Sequence, residues 1–450
     1  MKKIILFTIS TLMLTGCGTY SRYHRADIPT EKLYRNIPAG IDTTTLASMS
    51  WREMFTDRKL QFLIETGLRQ NTDLNVARLR VEAAEAALMT ARLSYLPSLG
   101  ISAEGSGNKY DGATAKAYNV GASASWELEL FGKLTAAKRG AVAALQGSRD
   151  YRQAVQTQLV ATIADSYYTL ALLDAQKVIN HRTLENWQAT VRTLEALKKV
   201  GKANDAGVLQ ARANVMQLES SQLAICKSIS ETENALSAIL AMPSHSIERS
   251  DLAEASFPDT ISVGVPLLLL SNRPDVRRAE MELAQAFYAT NVARSAFYPN
   301  ITLSGTLGWT NNGGVITNPG QWLFNAIASL TQPLFNRGTN IANLKIAQTR
   351  QEEARLLYQQ SLLNAGKEVN DALTAWQTAK SQFEINTHQV ETLREAVRKT
   401  ELLMRHSGTT YLEILTTQQS LLEAETNRLQ TSFDRIQSII KLYHALGGGI

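Results

Sequence analysis

The second half of this chain repeats its first, and no other feature limits its folding as much. Asp275 lies 202 residues after Asp73, and Arg294 and Pro299 follow Arg92 and Pro97 at the same spacing. Further on, Phe335 answers Phe131 at a spacing of 204, and Leu415 answers Leu209 at 206. A register that drifts by only four residues across most of a half-chain is a duplication with small insertions in loops. Whatever one half builds, the other builds again.

Each half carries stretches of period two. Leu99, Ile101 and Ala103 alternate with small or acidic residues, and so do Tyr118, Val120, Ala122, Ala124, Trp126, Leu128 and Leu130. Ile301, Leu303, Leu307 and Trp309 repeat the pattern, while a fourth stretch, Gln321 to Leu334, alternates less cleanly. Such strands could form a soluble antiparallel sheet lying on a core. However, few bulky residues elsewhere could cover the apolar face, and apolar-out, polar-in strands with aromatic ends suit a barrel in lipid. Single-chain membrane barrels have at least eight strands, so four cannot close one. Other copies of the chain must complete the sheet; three copies give twelve strands, and two or four would also close a ring.

The remainder reads as helix. Residues 134–199 contain no proline and would extend about 100 Å as an unbroken helix. Leu415, Leu422, Leu429, Ile436 and Tyr443 recur every seven residues, a coiled-coil seam. A helix-like segment also runs to about Tyr95 and stops before Pro97. Mean hydropathy is −0.15, and beyond the N-terminus no apolar run is long enough to span a membrane as a helix. Any insertion must use strands. The net charge of +5 comes without a basic run interleaved with aromatics, so nucleic acid is not an expected partner.

At the N-terminus, Lys2-Lys3 and an apolar stretch lead into Leu14-Thr15-Gly16-Cys17, which resembles a bacterial lipoprotein signal. Residues 1–16 are then a signal peptide, and Cys17 becomes the acylated first residue of an extended arm over 17–50. Gly18 after Cys17 implies the outer membrane under the lipoprotein sorting rule. The other cysteine, Cys226, sits alone in a helical pattern and reads as a small buried hydrophobe rather than a redox or metal residue. No histidine, cysteine or carboxylate spacing resembles a metal site or a catalytic motif, so no enzyme, metal or cofactor is expected.

Trp51 through Leu74, Trp126 through Gly132, Arg273-Pro274-Asp275-Val276-Arg277-Arg278-Ala279-Glu280 and Ala445 through Gly449 complete the pattern. With the lipoprotein signal, they make the chain resemble the TolC-like outer-membrane efflux proteins, in the lipoprotein branch serving resistance-nodulation-division pumps. The segment holding Arg273, Pro274, Asp275, Arg277 and Glu280 is the most specific of these.

The resemblance implies a homotrimer, mainly α, with a twelve-stranded β-barrel in the outer membrane and an α-helical barrel crossing the periplasm. It implies a first repeat over 51–242 with a β-hairpin at 98–131 and helices over 134–242. An equatorial linker at 243–265 follows, then a second repeat over 266–450 with a hairpin at 300–335 and helices over 338–446. It further implies passive export of drugs or other toxic small molecules, driven by an inner-membrane pump joined through a periplasmic adaptor.

By the same resemblance, Val200-Gly201-Lys202 and Ser407-Gly408-Thr409 are the helix-hairpin tips that meet the adaptor. Leu412 falls on the position of a channel-narrowing leucine ring. The family's acidic ring position is Thr416 here, so Glu413 is the candidate acid, with Asp205 a weaker companion. Three copies of an acid in a narrow pore would attract cations. Glu413 also reads as an ordinary solvated helix acid, and glycine at a tip also serves the turn. A protein or metal exporter, or a periplasmic coiled-coil scaffold, are the alternative functions.

Overall fold

The computed structural model describes residues 21–25, 49–110, 113–201, 203–255, 257, 273–311, 320–405 and 411–448. The first repeat contains α1 (Trp51–Met54), α2 (Arg58–Gln70), α3 (Thr72–Leu93), β1 (Ser98–Tyr110), β2 (Ala113–Leu128), α4 (Lys133–Lys199) and α5 (Asp205–Ile239). The second contains α6 (Pro274–Ser295), β3 (Asn300–Thr310), β4 (Gln321–Thr331), α7 (Thr339–Arg405) and α8 (Tyr411–Ala445). In these helices the duplication holds to the residue: α3 and α6 have 22 residues each, α4 and α7 have 67, and α5 and α8 have 35.

The helix ends repeat as well. After α5, Ala241 N–H donates to Ala238 O and Met242 N–H to Ser237 O; after α8, Gly447 donates to His444 O and Gly448 to Tyr443 O. Each pair is a Schellman-type closure that puts one residue in the left-handed region. Gly447 takes φ +88 there, whereas its counterpart Ala241 is held at φ +54 despite its Cβ.

Sequence periodicity predicts one helical segment up to Tyr95, but the structure divides it at Asn71. Asn71 caps α3 by accepting from Leu74 N–H at 2.9 Å and donates its amide to Ile239 O at 2.8 Å. An asparagine side chain that satisfies backbone groups locally ends one helix and starts the next.

The chain forms two compact units. The first comprises Met1–Ile28, Leu79–Asp150 and Arg277–Ser361, and it holds the sheet. Its strands are all antiparallel, in the order β1-β2-β3-β4, so the two hairpins join through β2 and β3. The register aligns Trp126 with Leu303 and Ala328, Ala122 with Leu307 and Phe324, and Val120 with Trp309 and Trp322. Because side chains alternate along a strand, this collects the bulky apolar residues of β1, β2 and β3 on one face. The opposite face carries Ser98, Ser102, Ser123, Ser125, Thr302, Ser304 and Thr306. The uneven fourth strand is explained here, since Leu323 and Ile327 fall on the polar face.

The apolar face meets no core: Leu99 is 81% exposed, Trp322 70% and Phe324 77%. Aromatics border it at both ends. Trp309 and Trp322 lie 4.8 Å apart at one end; at the other Tyr298 stacks on Phe131 at 5.1 Å and Trp126 Nε1 donates to Tyr95 O. Ile301 to Trp309 spans about 27 Å along the strand. At a barrel tilt of about 40° that projects to roughly 20 Å, close to the height of a membrane barrel's apolar band. β2 ends at Leu128, earlier than its alternation suggests, because Glu129 turns to accept from Leu134 N–H at 2.7 Å and caps α4. β4 ends at Thr331, two residues before Pro333, which has no N–H to give the ladder.

The second unit comprises Pro29–Arg78, Tyr151–Val276 and Leu362–Ile450. Its main core gathers Trp51, Met54, Phe55, Leu60 and Ile64 around Ile163, Tyr167 and Leu170 of α4 and Phe433, Ile436, Ile440 and Tyr443 of α8. The seven-residue seam of α8 therefore points inward, as its spacing predicts. Among the described residues no helix is long and apolar enough to cross a membrane.

Candidate functional site at the hairpin tips

The first tip is a tight reversal after α4. Val200 N–H donates to Leu197 O and Gly201 N–H to Lys198 O at 3.0 Å, and Gly201 takes φ +74, a conformation that favours glycine. Asn204 restarts the helix by accepting from Gly207 N–H at 3.0 Å. Asp205 is ion-paired with Lys198 across the turn, so its carboxylate closes this tip. Val200, 67% exposed, is the apolar point the tip presents. Lys202 lies outside the described residues, as do Ser407, Gly408 and Thr409 of the second tip.

α8 begins just beyond that second tip, and its two faces differ. Ile414 and Leu415 are buried, and Leu415 packs with Trp187, Leu194, Val208 and Ala211 of the first hairpin. Leu412, Glu413 and Thr416 are exposed on the other side, and the exposed stripe continues through Ser420, Glu423 and Asn427. Leu412 is the one large apolar residue on that stripe. The Thr416 hydroxyl donates back to Leu412 O at 2.9 Å, so it serves its own helix.

The outer membrane efflux protein family matches residues 63–242 and 265–448, one segment for each repeat. The chain belongs to that family. It is 30% identical to the cation efflux system protein CusC of Escherichia coli K12 over 99% of each chain. It is also 30% identical to the probable outer membrane lipoprotein SilC of Salmonella typhimurium, over 100% of this chain and 99% of SilC. A solved structure of CusC superposes with a TM-score of 0.82 at 28% identity, covering 95% of this chain and 98% of that one. The open MtrE channel of Neisseria gonorrhoeae gives 0.84 at 27%, covering 96% and 97%. This is an outer-membrane efflux channel protein, mostly helical, with a four-stranded sheet in each chain.

In this efflux protein the signature residues bind within the second repeat, to the first repeat and to the N-terminal arm. Arg273 is 4% exposed; it donates to Ala445 O at 2.9 Å, to both oxygens of Asp275 at 3.0 and 2.7 Å, and to Glu368 at 2.6 Å. Burial works against ionisation of Asp275, and the Arg273 guanidinium overcomes it and holds the carboxyl below its usual range. Burial, then the Arg273 charge, push the neighbouring His444 imidazole down. Pro274 opens α6, where a missing N–H costs nothing. Arg277 pairs with the buried Asp150 at 3.0 Å, and Glu280 binds Arg25 of the N-terminal arm at 2.8 Å.

A second buried acid escaped the sequence reading. Glu425 of α8 has a side chain only 5% exposed; its Oε1 accepts two N–H bonds from Arg394 of α7, and its Oε2 accepts a charge-assisted bond from Arg182 of α4. It therefore ties the two helical hairpins together a few turns from the tips. Its signal was a charge three residues after Leu422, inside the apolar seam.

Proposed function

We propose that three copies of the chain close their sheets into a twelve-stranded barrel and their long helices into a tunnel. This duct, anchored through Cys17, passes drugs or other toxic small molecules out of the cell. The observation that carries this reading is the sheet. Its register gathers an exposed apolar face bounded by aromatics, while β1 and β4 each have a strand partner on only one side among the described residues. Unpaired edges and uncovered apolar area both require further copies in a bilayer.

A passive duct needs a source of energy and of substrate choice, so its partners are an inner-membrane pump and a periplasmic adaptor. The adaptor meets the tips at Val200, Gly201 and Lys202 and at Ser407, Gly408 and Thr409. Leu412 and Glu413 narrow the channel from the exposed stripe of α8, Leu412 by bulk and Glu413 by charge. Similarity over the whole chain to CusC, a cation efflux system protein, favours cations as a second class of exported substrate.

Single-channel recordings in planar bilayers test the gate. Leu412→Ala and Glu413→Ala each raise the conductance of the purified channel above that of the wild type. Wild-type conductance in both variants would mean that the constriction lies elsewhere.

A further inference from the structure

We infer that the cleft beneath the N-terminal arm binds the phosphodiester headgroup of a membrane phospholipid. The arm lies along α6 in the opposite direction to the helix. Ser21 O accepts from the Asn291 amide at 3.0 Å, and Tyr23 meets Phe287 edge-on at 5.8 Å. Arg25 reaches Glu280 at 2.8 Å and the Tyr358 hydroxyl at 3.2 Å. Between arm and helices this leaves a cleft of about 350 Å³ whose lining includes Tyr23, His24, Phe287, Arg294, Gln348 and Gln351. Its size is that of a small-ligand site.

The charge of the cleft is unbalanced. Arg355 and Glu352 at its edge neutralise each other in a two-point pair. The Arg294 guanidinium makes no ion pair or hydrogen bond among the described residues, and the residue is exposed, so the lining keeps one uncompensated cation. A guanidinium presents parallel N–H donors that match two phosphate oxygens. The amides of Gln348 and Gln351 can donate to the phosphate or serve a headgroup hydroxyl.

Position decides between a lipid and a free anion. Arg294 stands one residue before the end of α6 and four before Tyr298, which stacks on Phe131 at the aromatic border of the strands. Aromatic side chains of this kind mark the headgroup level of a membrane barrel. The duplication puts a second exposed arginine, Arg92, at the corresponding place near the end of α3, again with no side-chain partner among the described residues. Cations at the base of the barrel face the phosphate layer, where each contributes to headgroup attraction. The inference rests on membrane insertion of the strands and does not depend on how many copies form the barrel.

The test uses the full-length lipidated protein, delipidated in detergent and examined by native mass spectrometry. The probes are short-chain phosphatidylglycerol, the matching phosphate-free diacylglycerol, and inorganic phosphate. The wild type holds phosphatidylglycerol, and Arg294→Gln lowers its occupancy by about fivefold, the loss of one cation near the surface. Tyr23→Ala, which removes a wall of the cleft without touching the charge, lowers it too. Equal occupancy in Arg294→Gln, or equal retention of the diacylglycerol, would overturn the inference. So would Arg294-dependent binding of inorganic phosphate alone, which would make this a free-anion site. Normal conductance of Arg294→Gln would leave the duct reading standing in each of these cases.

Discussion

At the scale of single residues, the two repeats solve one problem with different chemistry. Each must fasten the start of its first long helix to the end of its last. Asn71 donates to Ile239 O in the first repeat, and Arg273, 202 residues on, donates to Ala445 O in the second. Both carbonyls belong to the last residue of a 35-residue helix, where they lack an intrahelical partner. The neutral amide suffices at one site; at the other a buried guanidinium also gathers Asp275 and Glu368. Arg273→Ala leaves that carbonyl and both acids short of a donor and costs about 3 kcal/mol, at the low end for a broken buried pair because the acids are half exposed. Apparent melting of the detergent-solubilised protein checks this: a clear drop is expected, and a wild-type melting temperature would show that Arg273 holds nothing. The signature was legible as a motif, but its work was not. The carbonyl that Arg273 binds is 172 residues away, and no local pattern identifies it.

At the scale of elements, alternation was enough to place the strands and the heptad was enough to orient α8. What periodicity missed were the places where a side chain meets a distant backbone, as at Asn71. The meeting of the hairpins was also hidden, because β2 and β3 are joined by register rather than by a turn. Glycines mark that seam. A Cβ at Gly308 would stand 2.2 Å from Val120 O and 2.5 Å from Gly121 Cα, so no side chain fits without parting the strands. At Gly107 nothing lies within 4 Å. Gly308→Val should therefore reduce the fraction of protein that reaches the membrane in a folded, heat-resistant form, while Gly107→Val leaves it near the wild-type level. Gel mobility with and without heating reads both; equal behaviour of the two variants would contradict the proposed seam. At the tips, Leu412 and Glu413 were legible only through the family resemblance, and the structure adds that they share an exposed stripe. Glu425 lies among the apolar positions of the seam, and no local pattern marks it as a buried ion-pair acid.

At the scale of the whole molecule, duplication is the organising fact. Each repeat supplies one hairpin of the sheet and one pair of long helices, and neither a four-stranded sheet nor two helical hairpins can enclose a channel. Among the described residues, the exposed apolar face, the two sheet edges and the exposed stripe of α8 are the surfaces that the proposed assembly covers. On the proposed function further copies complete the channel, and the strand count makes three the natural number. The proposed assembly is three chains around one pore in the outer membrane. Its most direct test is the native mass of the lipidated protein extracted with detergent from outer-membrane fractions. A complex of three chains is expected. A monomer that stays soluble without detergent would contradict it, since the apolar face of the sheet would then have no bilayer to meet.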